Sequence, residues 1–262
     1  MRRDFLSSWK AFPSRAFRAL RLRAIARTWE FWGESDPLWA VITDPAKKGG
    51  RWDPESFFES GRAQVRGALE LVATLAGPLE RGAALDFGSG VGRLSQALCE
   101  HFEVVDGVDI AQSMIDVAER CNRFPERCTY HLNLSDDLSI FPNGRFDFVY
   151  STYVLQHMPP DLARGYVEEF LRVLAPHGVT LFQIPTGRRS GRARSSLVVW
   201  ARNRLKPHAR HEMRMYTTPA RTVEAWIESA DGHLIGEIHS PPDEVYDGLL
   251  FAATRGSLRT PA

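Results

Sequence analysis

The run Ala84-Leu85-Asp86-Phe87-Gly88-Ser89-Gly90-Val91-Gly92-Arg93 constrains the fold of this chain more than any other stretch. An apolar strand ends in an acid and turns through three glycines into a helix. Glycines at alternate positions let a backbone pass close to a ligand in dihedrals closed to other residues, and the free N–H groups of the helix that follows face an anionic group. A dinucleotide-binding turn would carry its third glycine one place later, in G-x-G-x-x-G. Arg93 stands there instead. Taken alone, the run also suits a tight strand-to-helix turn in any α/β protein, so the residues beyond it decide.

Val104-Val105-Asp106-Gly107-Val108-Asp109 reads as a second strand. It ends in an acid about 20 residues past the glycines, where a carboxylate can accept hydrogen bonds from both hydroxyls of a ribose. Ile110 to Cys121 reads as a helix, Tyr130 to Leu138 as a third strand and its turn, and Arg145 to Met158 as a fourth strand and the turn after it. A helix ending in Leu171-Arg172-Val173-Leu174-Ala175-Pro176-His177-Gly178 follows. In this order, with Asp86 two residues before G-x-G-x-G, the chain resembles the class I S-adenosylmethionine-dependent methyltransferases over roughly residues 80 to 255.

The resemblance implies a three-layer α/β fold, Rossmann-like, with a seven-stranded sheet whose last strand is antiparallel. It implies S-adenosyl-L-methionine as cofactor, held by Asp86, Gly88, Ser89, Gly90, Gly92 and Arg93, with Asp109 on the ribose and Ile110 against the adenine, Ser113 and Met114 nearby. Members commonly carry an acid where Leu134 aligns, so the adenine edge falls to Asn133 or to the backbone of Leu134 and Ser135. Ser151 and Gln156 complete the cofactor set from the turn after strand four.

Composition agrees with a folded domain. With 262 residues and 44% hydrophobic content the chain can bury a large core. It has no apolar run near the 18 or so residues that cross a bilayer and no basic start followed by an apolar signal segment, so the expectation is a soluble cytoplasmic protein. Cys99, Cys121 and Cys128 lack C-x-x-C spacing, so neither a disulfide framework nor a metal site is expected.

The net charge of +1 hides an asymmetry. Residues 1–27 hold eight Arg or Lys against Asp4, and residues 188–210 hold eight more and no acid. Two basic segments on an acidic body invite an anionic partner, or else pair with that body. In the first of them Leu22, Ile25, Trp29 and Trp32 form one apolar helical stripe, which suits docking onto the domain, an organelle-targeting peptide or a membrane-surface helix; five of the seven tryptophans in the first 52 residues favour docking. Residues 1–78 are expected to form an N-terminal helical extension or lid on a core of 79–262. Its parts are a short helix at Pro37-Leu38-Trp39-Ala40-Val41-Ile42, a second short helix ending at Gly61, and a long helix from Gln64 to Ala76. Trp52, Phe57, Phe58 and Gly61 are candidates to face the site.

After the fifth strand, Gly178 to Pro185, a basic insertion at 186–216 precedes a helix from Thr217 to Ala230, and closing strands are expected at Gly232 to His239 and Val245 to Thr254. An insertion leaving the carboxyl edge of the sheet is placed to wall a substrate, with Trp200, His211 and Tyr216 as candidates alongside Tyr153. His157 is the candidate general base, since an unperturbed imidazole near pKa 6.5 suits proton removal at neutrality. Ser151-Thr152-Tyr153-Val154 is not the Asn/Asp-Pro-Pro-Tyr/Phe motif that holds a base amino group, which argues against nucleic acid. The expected reaction is methyl transfer to oxygen or nitrogen of a small molecule, acidic or neutral: a natural product, a sugar or a lipid-linked metabolite. The alternatives are an RNA- or membrane-associated methyltransferase and a non-catalytic cofactor-binding subunit.

Overall fold

Strands buried along nearly their whole length must be covered on both faces, and helices are the only cover this sequence supplies. A computed structural model describes residues 15–188, 211–239 and 246–256. Its first four strands, mutually parallel, are β1 (Ala83–Phe87), β2 (Val104–Asp109), β3 (Cys128–Leu132) and β4 (Phe146–Ser151), and the fifth runs parallel to β4. They are joined by β5 (Leu174–Arg188), β6 (His233–His239) and β7 (Tyr246–Thr254) in the order β3-β2-β1-β4-β5-β7-β6. β7 runs antiparallel to both of its neighbours.

Alternate residues of each strand divide between two helical layers. Ala84, Val105, Phe148 and Leu181 pack under α3 (Pro54–Ala76), α4 (Arg93–Leu98) and α5 (Gln112–Arg120). Leu85, Val108, Val149 and Phe182 pack under α6 (Pro160–Val173) and a further helix, α7 (Ala220–Ser229). At the amino end come α1 (Arg15–Ser35) and α2 (Pro37–Val41). The expected stripe of α1 turns inward, with Leu22 only 1% exposed inside the second of these layers. Two arginines of the first basic segment pair with the body. Arg18 Nε lies 2.7 Å from Asp136, and Arg21 donates to both oxygens of Asp161 at 2.9 and 2.8 Å.

Three expectations are corrected. The short helix ending at Gly61 and the long helix from Gln64 are one helix, α3, started by Asp53, whose side chain accepts from Ser56 N at 2.9 Å. Gly61 does not break it. A Cβ there would sit 2.5 Å from the Arg93 carbonyl, so the missing side chain is what lets α3 close on α4. β5 is longer than Gly178 to Pro185 because Leu174 already pairs with Phe146, and Ala175 to Gly178 loops out before Val179 pairs with Phe148. At its other end Gly187 and Arg188 pair with Asp247 and Tyr246. α7 begins at Ala220 rather than Thr217, since Thr218 N is spent on Pro185 O at 2.9 Å and Pro219 precedes the first turn.

Candidate active site

The strand order reverses between β1 and β4, and in open α/β sheets the crevice outside the carboxyl ends at that point is the ligand site. A cavity of about 550 Å³ opens there. Gly88, Ser89, Gly90 and Arg93 line one end, Asp109, Ile110, Met114 and Asn133 a flank, and Tyr153, Gln156 and His157 the floor toward β4.

The loop after β1 is held in a shape that only glycine tolerates well. Gly88 has φ 80° and its N–H donates to Val108 O at 2.8 Å, while a Cβ on it would lie 2.1 Å from a methyl of Val154. A Cβ on Gly90 would meet Val41 of α2 at 2.7 Å, so α2 roofs the loop. Asp109 ties loop to strand, accepting Gly90 N on Oδ2 at 2.8 Å and Ala111 N on Oδ1 at 2.9 Å. Its burial raises the carboxyl pKa against the lowering effect of those N–H donors, and nearby Glu30 adds to the rise. Each oxygen keeps a second lone pair for an incoming hydroxyl. A glycine cradle that side chains would fill, ending in an acid with two acceptor positions, fits a nucleoside cofactor.

Arg93 lines the cavity although it is only 3% exposed. Nη2 donates to Gln64 Oε1 at 2.6 Å and Nη1 to Ser60 Oγ at 3.3 Å, both on α3. Asp86, two residues before the glycines, does not line the cavity. It is buried and accepts from Ser95 Oγ at 2.6 Å, and burial pushes its pKa up to about 6.

The other end of the cavity is apolar. Trp29 of α1, Pro185 of β5, Met213 and Met215 wall it, with Tyr246 and Gly248 of β7. Tyr153 stands here at φ 63°, a left-handed conformation costing an L-residue roughly 1 kcal/mol or more, with its N–H donating to Gln183 Oε1 at 3.2 Å. His157 Nδ1 lies 2.8 Å from Arg214 O and therefore carries the proton, which leaves Nε2 to accept from the Gln156 amide at 3.1 Å. The edge of Trp29 closes on the ring at 5.0 Å. Burial drives the imidazole pKa down to about 4, only partly offset by the Arg214 carbonyl.

This histidine is neutral in the folded protein down to about pH 4, whereas an unfolded histidine titrates near 6.5. Between these values the unfolded chain binds the extra proton, so stability is expected to fall as pH falls through that window, by up to about 3 kcal/mol. His157→Asn should flatten this part of the profile. Denaturation midpoints measured from pH 7 to 4.5 that fall equally in both proteins would rule His157 out as the source.

Not every residue expected in the site reaches the cavity. Ser113 is taken by α1, its Oγ donating to Glu30 O at 3.1 Å and its N to the Glu30 carboxylate at 3.2 Å. Ser151 Oγ donates to Phe87 O at 3.0 Å, linking β4 to β1 beneath the floor. Gly92 backs onto Tyr130, Leu134 is 55% exposed, and Ser135 N donates to Asn133 Oδ1 at 3.1 Å. His211 stacks on Phe31 at 4.1 Å, and Tyr216 touches the site only through its N–H, which donates to Gln156 O at 2.7 Å. Trp200 and most of the basic insertion lie outside the described residues. Phe57 and Phe58 are buried beside Trp32 and Met114, and neither they nor Trp52 and Gly61 line the cavity. Conversely, Ile25, Trp29, Val41 and Gln183 do line it. The inward stripe of α1 contains the first two, but periodicity does not say which neighbour a stripe meets.

Residues 84–178 match the model of a family described as a methyltransferase domain. Among curated proteins, the ubiquinone biosynthesis O-methyltransferase of Coxiella burnetii is 29% identical over 156 residues, 58% of this chain and 63% of the relative. The chain thus matches less than two thirds of that protein's length. The protein of the same description from Thiobacillus denitrificans is 28% identical over 202 residues, 74% of this chain and 84% of the relative. Among solved structures, the magnesium protoporphyrin IX methyltransferase of Synechocystis, with S-adenosylhomocysteine bound, superposes with a TM-score of 0.61 at 17% identity. That match covers 89% of this chain and 99% of the other, and at such identity the likeness is one of fold.

Proposed function

We infer the chemistry from a chain that belongs to the class I S-adenosylmethionine-dependent methyltransferases through its residues 84–178: it methylates an oxygen of a small, largely apolar molecule carrying an aromatic hydroxyl. The observation that carries this reading is the two-ended cavity. A glycine loop and Asp109 bound one part of it, and Trp29, Met213, Met215 and Pro185 wall the other. When bound, S-adenosylmethionine supplies an electrophilic methyl group on a sulfonium sulfur. The relatives described as O-methyltransferases favour oxygen over nitrogen as the acceptor.

The work left to the protein is alignment and exclusion of water. Gly88, Gly90 and Asp109 hold the nucleoside side, α2 covers the loop, and Trp29 with the two methionines presses a flat apolar acceptor toward Tyr153. His157 does not suit the role of general base. With a pKa of about 4, its conjugate acid is some six units more acidic than an aromatic hydroxyl near 10, and proton transfer to it would be uphill by about 8 kcal/mol. Its place is to orient Gln156, whose amide faces the cavity. The acceptor's proton then goes to solvent water before attack, which favours an aromatic hydroxyl: with a pKa near 10 about 0.1% of it is ionised at pH 7, whereas an aliphatic hydroxyl, near water's own pKa of about 15.7, is ionised roughly 10⁵- to 10⁶-fold less. The described lining of the acceptor end holds no Arg or Lys. An acidic substrate would draw on the basic insertion, whose flanks Pro185 and Met213 border this end.

Incubation with methyl-labelled S-adenosylmethionine and a panel of apolar phenols and catechols, read by mass spectrometry, is expected to yield singly labelled ethers. Transfer to RNA alone, or firm S-adenosylhomocysteine binding with no transfer to any hydroxylated aromatic, would replace this reading with one of the alternatives above.

A further inference from the structure

We propose that the outer face of α1 is a docking surface for an anionic bilayer, and that it holds the apolar end of the cavity beside the lipid. Lipid contact depends on where α1 lies and not on the acceptor atom, so it stands or falls apart from the reaction assigned above.

From Arg15 to Trp29 the helix holds five arginines and no acid. Two of them, Arg18 and Arg21, turn inward to Asp136 and Asp161. Arg15, Arg23 and Arg27 are exposed, and none of them meets an acid among the described residues. Ala16, Leu20, Arg23 and Arg27 follow one another at helical spacing, so they share a face turned away from Leu22, Ile25 and Trp29. On or beside that face Leu20 is 60% exposed and Phe17 51%. Single exposed apolar side chains are ordinary. Two large ones set among uncompensated cations are the pattern of a helix at a lipid interface, where the cations meet headgroup phosphates and the apolar side chains enter the acyl boundary. An RNA backbone would attract the same arginines, but its bases stack on aromatic rings and offer nothing to Leu20. Among the described residues no helix is long and apolar enough to cross a membrane, so contact through α1 is with the surface.

The position of the helix ties this surface to the site. Ile25 and Trp29, on its inner face, line the cavity, and Trp29 walls the apolar end. One helix diameter, about 10–12 Å, then separates that end from the lipid. An apolar acceptor partitioned into the bilayer is thereby concentrated next to the end of the cavity that takes it. Residues 1–14, outside the described residues, continue the composition in sequence, with Arg2, Arg3 and Lys10 against Asp4 and with Phe5, Leu6, Trp9 and Phe12.

Co-sedimentation of the full chain with vesicles tests this, using phosphatidylcholine alone and phosphatidylcholine with an equal share of phosphatidylglycerol. The wild type is expected to sediment with the anionic vesicles and not with the neutral ones, and to be released as salt is raised. Arg15→Gln, Arg23→Gln and Arg27→Gln together should weaken binding roughly 100-fold, at about 5-fold per arginine. Leu20→Ser should weaken it several-fold with the charge unchanged. Arg120→Gln, Arg123→Gln and Arg127→Gln, exposed positions at and after the end of α5, remove the same charge elsewhere and should change little. Equal losses in the two triple variants, unchanged binding in the first of them, equal binding to both vesicles, or retention by single-stranded RNA without affinity for either vesicle would overturn the proposal. If the first triple variant does not fold, Arg23→Gln and Leu20→Ser decide singly, and wild-type binding by either overturns it. Methyl transfer to soluble phenols is read separately and tests the reaction alone.

Discussion

Asp109→Ala is expected to weaken S-adenosylhomocysteine binding by about 1.5–3 kcal/mol, roughly 10- to 150-fold, the range for hydrogen bonds to a charged acceptor. The carboxylate acts twice. In the proposed function it offers lone pairs to the ribose, and in the structure it holds the glycine loop through Gly90 N at 2.8 Å and the start of the next turn through Ala111 N at 2.9 Å. Asp109→Asn keeps one acceptor oxygen and should fall between wild type and alanine. The ionised form is the one that accepts from two hydroxyls. Because burial raises the Asp109 pKa, affinity should start to decline at a higher pH than an ordinary aspartate would dictate. Calorimetry showing an unchanged dissociation constant for the alanine variant, or tighter binding of NAD than of S-adenosylhomocysteine by the wild type, would sink the assignment.

Gly88→Ala should be strongly destabilising. Its φ of 80° costs an alanine about 1–2 kcal/mol. The new Cβ would lie 2.1 and 2.8 Å from the two methyls of Val154 and 3.0 Å from its Cβ. A β-branched side chain cannot swing aside cheaply, and overpacking of this kind costs a further 1–3 kcal/mol or so. The expected sum, about 2–5 kcal/mol, lowers the melting temperature by roughly 4–20 °C at about 2–4 °C per kcal/mol for a chain of this size. Val154→Ala in the same chain should recover the steric part and leave the backbone strain, so the two substitutions are coupled. Thermal melts in which Gly88→Ala is neutral, or in which Val154→Ala rescues nothing, would mean that the loop relaxes away from the geometry described.

The sequence by itself determined the sheet and the cofactor loop. Strand-turn-helix units are specified by short-range rules: two-residue alternation in β1 and β2, glycine where φ turns positive, and an acid at the end of the second strand. Asp109, Gly88 and Gly90 follow from those rules wherever the helices lie. The long basic segments were equally visible, but charge alone did not reveal that Arg18 and Arg21 would meet Asp136 and Asp161. Only the tertiary structure decided which side chains complete the site. It brings Trp29 against His157 and turns Gln64 toward Arg93, pairings across 128 and 29 positions of chain. It spends Ser113 on Glu30, away from the cavity. It also settles His157, whose neutrality comes from burial beneath α1 against the opposing pull of the Arg214 carbonyl, neither of which is local to it. An amphipathic stripe states that a face will be buried but not against what. Partner choice depends on shape and desolvation summed over the docked interface, and those exist only once the chain has folded.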